Sequence, residues 1–164
     1  MKILSNTQIN QKINRLAIEI LENNYTEKKL VLAGINNNGL GFAKLLMKAI
    51  QKISEVEIIL ANLTLNPAKP TSDEVAINIE EAEYKNKVVI IVDDVANTGR
   101  TIFFAFKPFL DMLTKKVEVA VLVDRKHKSF PIKVDYVGLS LATTMKDNIK
   151  VKLGAVKDRE VRLE

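Results

Sequence analysis

Val88-Val89-Ile90-Ile91-Val92-Asp93-Asp94-Val95-Ala96-Asn97-Thr98-Gly99-Arg100-Thr101 decides the fold. Five apolar β-formers run into two adjacent carboxylates, a short polar loop with a glycine follows, and an apolar helix begins. An uninterrupted apolar run of this length is the mark of a strand buried on both faces, as in a parallel sheet. In open α/β sheets, ligands bind outside the carboxyl ends of the strands. The order of residues therefore puts acids and phosphate-binding groups together at that edge.

Outward from this stretch, the chain alternates between strand and helix patterns. Ile9, Ile13, Leu16, Ala17, Ile20 and Leu21 recur at helical spacing behind the capping candidates Ser5, Asn6 and Thr7. Leu30–Ala33 reads as a buried strand, Gly34–Gly39 as an Asn-rich loop, and a second helix runs from about Leu40 to Ile50. Glu57–Leu63 is predicted as the second strand, and residues 66–74 as a loop with two prolines. Val88–Val92 is the third strand, with a helix from about Arg100; Val117–Val123 and Val134–Leu141 are the fourth and fifth. Val151, Leu153, Val156, Val161 and Leu163 suggest a hairpin in the tail. This pattern predicts an α/β fold: one domain over 1–164, with a mostly parallel twisted sheet flanked by helices and a small β-rich tail. Right-handed crossovers bring the strand-to-helix loops 34–39 and 94–99 to one edge, where they face a common ligand.

Composition narrows the function classes. The chain has 164 residues, 47% of them hydrophobic and 27% charged, with no cysteine. Disulfides and thiolate metal sites are thereby excluded, and a reducing cytoplasm is the expected compartment. No apolar run approaches the roughly 20 residues that span a membrane. Twenty-five Lys and Arg against 20 Asp and Glu give a formal charge of +5, which favours anionic ligands.

The acid–loop–helix motif carries the chemistry. Side chains alternate along a strand, so Asp93 and Asp94 diverge unless the strand ends there and the turn splays both toward one ligand. Carboxylates accept hydrogen bonds from vicinal hydroxyls, and hard cations such as Mg2+ prefer oxygen ligands. Successive N–H groups of Ala96–Thr101 form an anion nest. Thr98 and Thr101 add hydroxyls, and Gly99 allows close backbone approach. Acids for a sugar and a cup for its phosphate thus sit one loop apart. Gly34-x-x-x-x-Gly39-Leu40-Gly41 lacks the Lys-Ser/Thr of a P-loop, and Lys44 breaks a dinucleotide fingerprint.

The motif resembles the phosphoribosyl-pyrophosphate (PRPP) signature of type I phosphoribosyltransferases. The run Ala120–Gly138, with Val123-Asp124-Arg125-Lys126-His127, Phe130-Pro131-Ile132 and Asp135-Tyr136-Val137-Gly138, is similar to the PyrR-like subgroup, bifunctional pyrimidine operon regulators and uracil phosphoribosyltransferases. The resemblance covers most of the chain. It implies transfer of the phosphoribosyl group of PRPP to a nucleobase, with uracil foremost, using Mg2+ and releasing pyrophosphate. It implies that Asp93 and Asp94 meet the ribose hydroxyls, directly or through metal-bound water without direct ligation of the metal, and that Asp94 doubles as a proton acceptor. Ala96, Asn97, Thr98, Gly99, Arg100 and Thr101 hold the 5′-phosphate. Asn36, Asn37, Asn38 and Gly39 form the pyrophosphate loop. Residues 64–80 are the catalytic lid, in which Lys69 is the one cation, and Asp124, Arg125 and His127 lie beside the base.

The chain also departs from that pattern. Asn38 stands where such proteins usually carry arginine, and an amide lacks its charge and its fork. The lid reads Leu65-Asn66-Pro67-Ala68 where the family usually has Leu-Tyr-Arg-Asp. Leaving-group stabilisation is expected to be weaker than PRPP binding. A rival reading is a feebly catalytic, nucleotide-sensing regulator that binds RNA through Lys126, Lys128, Lys133 and Arg15. The outer face of the first helix, with Ile18, Glu19 and Glu22, argues against RNA. In the helix after Arg100, Phe103, Phe106 and Phe109 share a predicted core stripe with Ile102, Leu110 and Leu113. Phe104 and Pro108 fall outside it, as an expected dimer contact.

Overall fold

A computed structural model describes residues 1–144, 146–154 and 156–164. The strands are β1 (Lys2–Leu4), β2 (Lys29–Ile35), β3 (Glu57–Thr64), β4 (Ala76–Ile77), β5 (Val88–Ala96), β6 (Lys116–Arg125), β7 (Tyr136–Leu141), β8 (Ile149–Lys152) and β9 (Glu160–Leu163). The α-helices are α1 (Asn6–Asn23), α2 (Asn36–Gln51), α3 (Glu81–Tyr84) and α4 (Arg100–Ala105). The main sheet has the order β4-β3-β2-β5-β6-β7, parallel throughout except for β4, which returns antiparallel along β3. A second, antiparallel sheet has the order β1-β9-β8. The α/β architecture read from the sequence is what the chain adopts.

β5 lies in the centre of the main sheet, and its alternation sorts the core. Ile90 and Val92 pack with Leu30, Leu32 and the apolar stripes of α1 and α2. Val89 and Ile91 face the other way, with Val31, Ala33, Ile102 and Phe109. α1 begins in a capping box: Ser5 Oγ accepts the Gln8 N–H and Gln8 Oε1 accepts the Ser5 N–H.

Four sequence expectations are corrected. β5 does not end at the acids, because Val95 and Ala96 go on pairing with Val123 and Asp124 of β6. The 34–39 segment is not a loop: Asn36, at φ 50°, turns the chain in one residue, and Asn37–Gly39 already belong to α2. α4 stops at Ala105, and a 3₁₀ turn over Lys107–Phe109 with Pro108 inside it replaces further helix. The aromatic stripe is therefore broken: Ile102 and Phe109 are buried, whereas Phe103, Leu110 and Leu113 are 41%, 74% and 76% exposed. Finally, the tail hairpin pairs with β1, a strand the short Lys2-Ile3-Leu4 run did not reveal.

Candidate functional site

The parity of β5 carries on through its acids. Asp93 follows Val89 and Ile91 toward the α4 side, and Asp94 follows Ile90 and Val92 toward α2. Asp93 lines a cavity of about 290 Å³ with Ala96–Ile102 and Pro67. Asp94 lines a different one, about 210 Å³, with Asn37, Asn38, Gly41 and the tail residues Val151, Leu153 and Gly154. Both lie at the carboxyl edge of the sheet. The two carboxyls nonetheless come within hydrogen-bond reach of each other at the strand end, so the pair sits between the two cavities.

The acids perturb one another. Burial raises the Asp93 carboxyl well above the usual carboxylate range, and the charge of Asp94 pushes the same way. Asp94 is raised too, chiefly by burial, while hydrogen bonds from Asp93, the Val95 N–H and the Asn38 amide pull against it. No Lys, Arg or His lies within ion-pair distance of either acid among the described residues. The pair thus offers hard oxygen donors with no cation of its own. That suits hydrated Mg2+ held largely by ligand oxygens, since among the described residues no third acid or histidine completes a protein cage.

The loop after β5 is shaped for an anion. Gly99 has φ 86°, and a Cβ there would stand 2.7 Å from Ile132 Cγ1, so only glycine fits. Its far side is pinned by Ser129 and Phe130, whose N–H groups donate to the Thr98 carbonyl at 2.9 and 3.2 Å. The amides of Asn97, Thr98 and Gly99 find no protein acceptor among the described residues, and α4 starts directly behind them. Arg100 reaches across to donate from Nη2 to the Pro67 carbonyl at 2.6 Å. Residues 66–70 are thereby tied over the first cavity.

The predicted pyrophosphate residues divide. Asn37 and Asn38 line the Asp94 cavity. Asn36 is corrected: its amide is spent on Leu65, donating to the carbonyl at 3.0 Å and accepting the N–H at 3.1 Å. Asn62 Nδ2 braces the same corner through the Gly34 and Asn36 carbonyls. Gly39 serves packing, since a Cβ there would meet the Val92 carbonyl oxygen at 2.5 Å.

Lys69 is exposed and lines neither cavity. His127 is exposed as well, and also lines neither. Asp124 pairs with Lys128 at 2.6 Å, and Arg125 is buried with its fork spent on protein acceptors. The grouping of Asp124, Arg125 and His127 as one base-facing set is therefore not what the structure builds. The expected basic face is also largely engaged: Arg15 Nη2 donates to the Val137 and Gly138 carbonyls, and Lys133 lies 3.5 Å from Asp135. Sequence reading missed Pro67, Asn62 and the Val151–Gly154 wall, and only the last had a signal, in the tail's alternating valines and leucines.

The sequence model of the phosphoribosyl transferase domain matches residues 2–154. The bifunctional protein PyrR of Macrococcus caseolyticus is 34% identical over 164 residues, covering 96% of this chain and 94% of that protein. PyrR of Alkaliphilus metalliredigens is 35% identical, covering 96% and 91%. Among solved structures, a hypoxanthine-guanine phosphoribosyltransferase from Bacillus anthracis superposes with a TM-score of 0.72 at 20% identity, over 86% of this chain and 82% of the other. That last likeness concerns the fold, whereas the match over 2–154 and the PyrR alignments are to sequence: this chain belongs to the phosphoribosyltransferase family, alongside the PyrR proteins.

Proposed function

We propose that the chain transfers the phosphoribosyl group of PRPP to uracil, releasing pyrophosphate. The observation that carries this is the shared cavity of Asp93 and the Ala96–Thr101 loop, which puts a carboxylate and an anion nest on one hollow. Loop amides and the Thr98 and Thr101 hydroxyls hold the 5′-phosphate. Asp93 and Asp94 accept the ribose hydroxyls, and Asp94 takes up the proton that the base nitrogen loses. The C1′–oxygen bond to pyrophosphate breaks as the bond from C1′ to the base nitrogen forms, and positive charge gathers on the ring meanwhile. The two carboxylates favour that charge. Bound Mg2+ would supply neutralisation of the pyrophosphate oxygens. Asn37 and Asn38 can only hydrogen-bond the departing group, so this half of the site stabilises less charge than an arginine would.

The likeness to the PyrR proteins, together with the Ala120–Gly138 run, supports uracil as the base, and a cytoplasmic setting belongs to the same reading. A homodimer or higher homo-oligomer is supported by the patch of exposed Phe103, Leu110 and Pro131 with half-buried Phe104 and Phe106, which lines an apolar hollow of about 460 Å³. Phe103→Asp should lower the sedimenting mass. A second reading, a weakly catalytic PRPP sensor that regulates pyrimidine genes through RNA, is favoured by the missing loop arginines. Pyrophosphate release from PRPP and Mg2+ with a panel of bases separates the two. Turnover with uracil supports transfer, and PRPP binding without turnover on any base supports the sensor. Failure to bind PRPP sinks both. No helix among the described residues is long and apolar enough to cross a membrane.

A further inference from the structure

Arg125 closes β6 as a buried cation, 7% exposed. Its Nε donates to Thr143 Oγ1 at 2.7 Å, its Nη2 to the Thr144 carbonyl at 2.7 Å, and its Nη1 to Asn97 Oδ1 at 3.1 Å. All three acceptors are neutral. No carboxylate lies within ion-pair distance of the guanidinium among the described residues. Asp147 feels its charge from beyond ion-pair distance, so the direct contacts of the fork are hydrogen bonds to neutral oxygens.

A guanidinium has donors only. The atom that Asn97 turns toward Arg125 is therefore Oδ1, which leaves Nδ2, with no protein acceptor among the described residues, for the cavity Asn97 lines. The opposite side of the guanidinium fixes Thr143 and Thr144. Thr144 is itself held by Asp147, which accepts its N–H and its hydroxyl at 2.8 Å each. One side chain thus bridges the segment after β7 to the loop after β5.

We propose that Arg125 is a positioning residue: it grips Asn97 by Oδ1 and presents Nδ2 as a fixed donor to an acceptor oxygen of the anionic ligand in the Asp93 cavity. Held this way, Asn97 donates and accepts no proton from the substrate. The proposal rests on the reading of that cavity as a phosphoribosyl site.

The test is a double-mutant cycle on the full chain, with Asn97→Ala, Arg125→Gln and the pair, titrated with ribose 5-phosphate and with PRPP and Mg2+. Each single change is expected to weaken binding about tenfold, the scale of one charge-assisted hydrogen bond. The double is expected to be no weaker than either single within about twofold, because Arg125 acts through Asn97. The KM for PRPP rises while the KM for uracil does not. Losses that multiply to about a hundredfold in the double overturn the proposal. Arg125→Lys, which keeps the charge but not the fork, replaces Gln if that variant fails to fold. The same cycle read by thermal unfolding without ligand tests the pair alone. If wild-type protein binds neither probe, the functional reading falls, and additive Tm losses then overturn the Arg125–Asn97 coupling as well, whereas non-additive losses uphold it.

Discussion

Asp93 and Asp94 line different cavities and still touch. The Asp94 N–H donates to Asp93 Oδ1 at 2.9 Å, and the two carboxyls lie within hydrogen-bond reach of each other. This makes the pair a buried electrostatic burden on the fold. A carboxyl raised above its ordinary 3.8 binds its proton more tightly folded than unfolded, so stability is highest below that value and declines as pH rises through the folded pKa. Asp93→Asn should accordingly melt higher than wild type at pH 7, with the difference vanishing below pH ~4, and should lose PRPP affinity. Scanning calorimetry at the two pH values checks the sign; a variant that melts lower at pH 7 contradicts it.

Asn36 holds the start of α2 to the start of the 64–80 segment, and its φ of 50° is one that alanine resists. Asn36→Gly keeps the turn and loses both bonds to Leu65, about 1–2 kcal/mol in a urea melt. Asn36→Ala should cost roughly 1 kcal/mol more, from the left-handed backbone. Equal losses would remove the backbone argument.

Arg100 fastens Pro67 over the Asp93 cavity from an exposed position. Arg100→Ala is expected to leave global stability within about 0.5 kcal/mol. Amide exchange across residues 68–74 should nonetheless quicken several-fold, as measured by mass spectrometry. Unchanged exchange would mean that the contact does not restrain the segment.

Tyr136 donates to Glu118 Oε2 at 2.9 Å and accepts from Asn24 at 3.2 Å, and burial raises its phenol. Tyr136→Phe leaves the buried Glu118 carboxylate short of a donor, which should cost about 1–3 kcal/mol in denaturant midpoint terms. Removing the carboxylate as well, with Glu118→Gln, should recover part of that loss.

The sheet and its flanking helices were legible because Leu30–Ala33, Val88–Val92 and Val117–Val123 are apolar without a break, and only a strand covered on both sides tolerates that. Asp93, Asp94 and the Ala96–Thr101 loop were legible because their chemistry is local in sequence. Asn36 and Arg125 were misread for the opposite reason. Their partners, Leu65 and Asn97, are set by the fold, and a polar side chain does not declare in sequence whether its donors are already spent. The break in α4 was signalled by Pro108, but helical spacing on both sides of it suggested one stripe where the chain makes two short turns.

The wall of the Asp94 cavity hangs on the small sheet, where Lys2 pairs with Arg162 and the Leu163 N–H donates to the Met1 carbonyl at 2.8 Å. During synthesis on the ribosome, β1 emerges early and must wait for β9, while the Asp93 cavity is lined by residues up to 102 and braced by Arg125, Ser129 and Phe130, all of which emerge before β9. A nascent chain would thus expose a complete phosphate cup before it owns a closed second chamber. Ligand present in the cell at that moment meets a half-built pocket first, and the arrival of β9 determines when the other half can take shape.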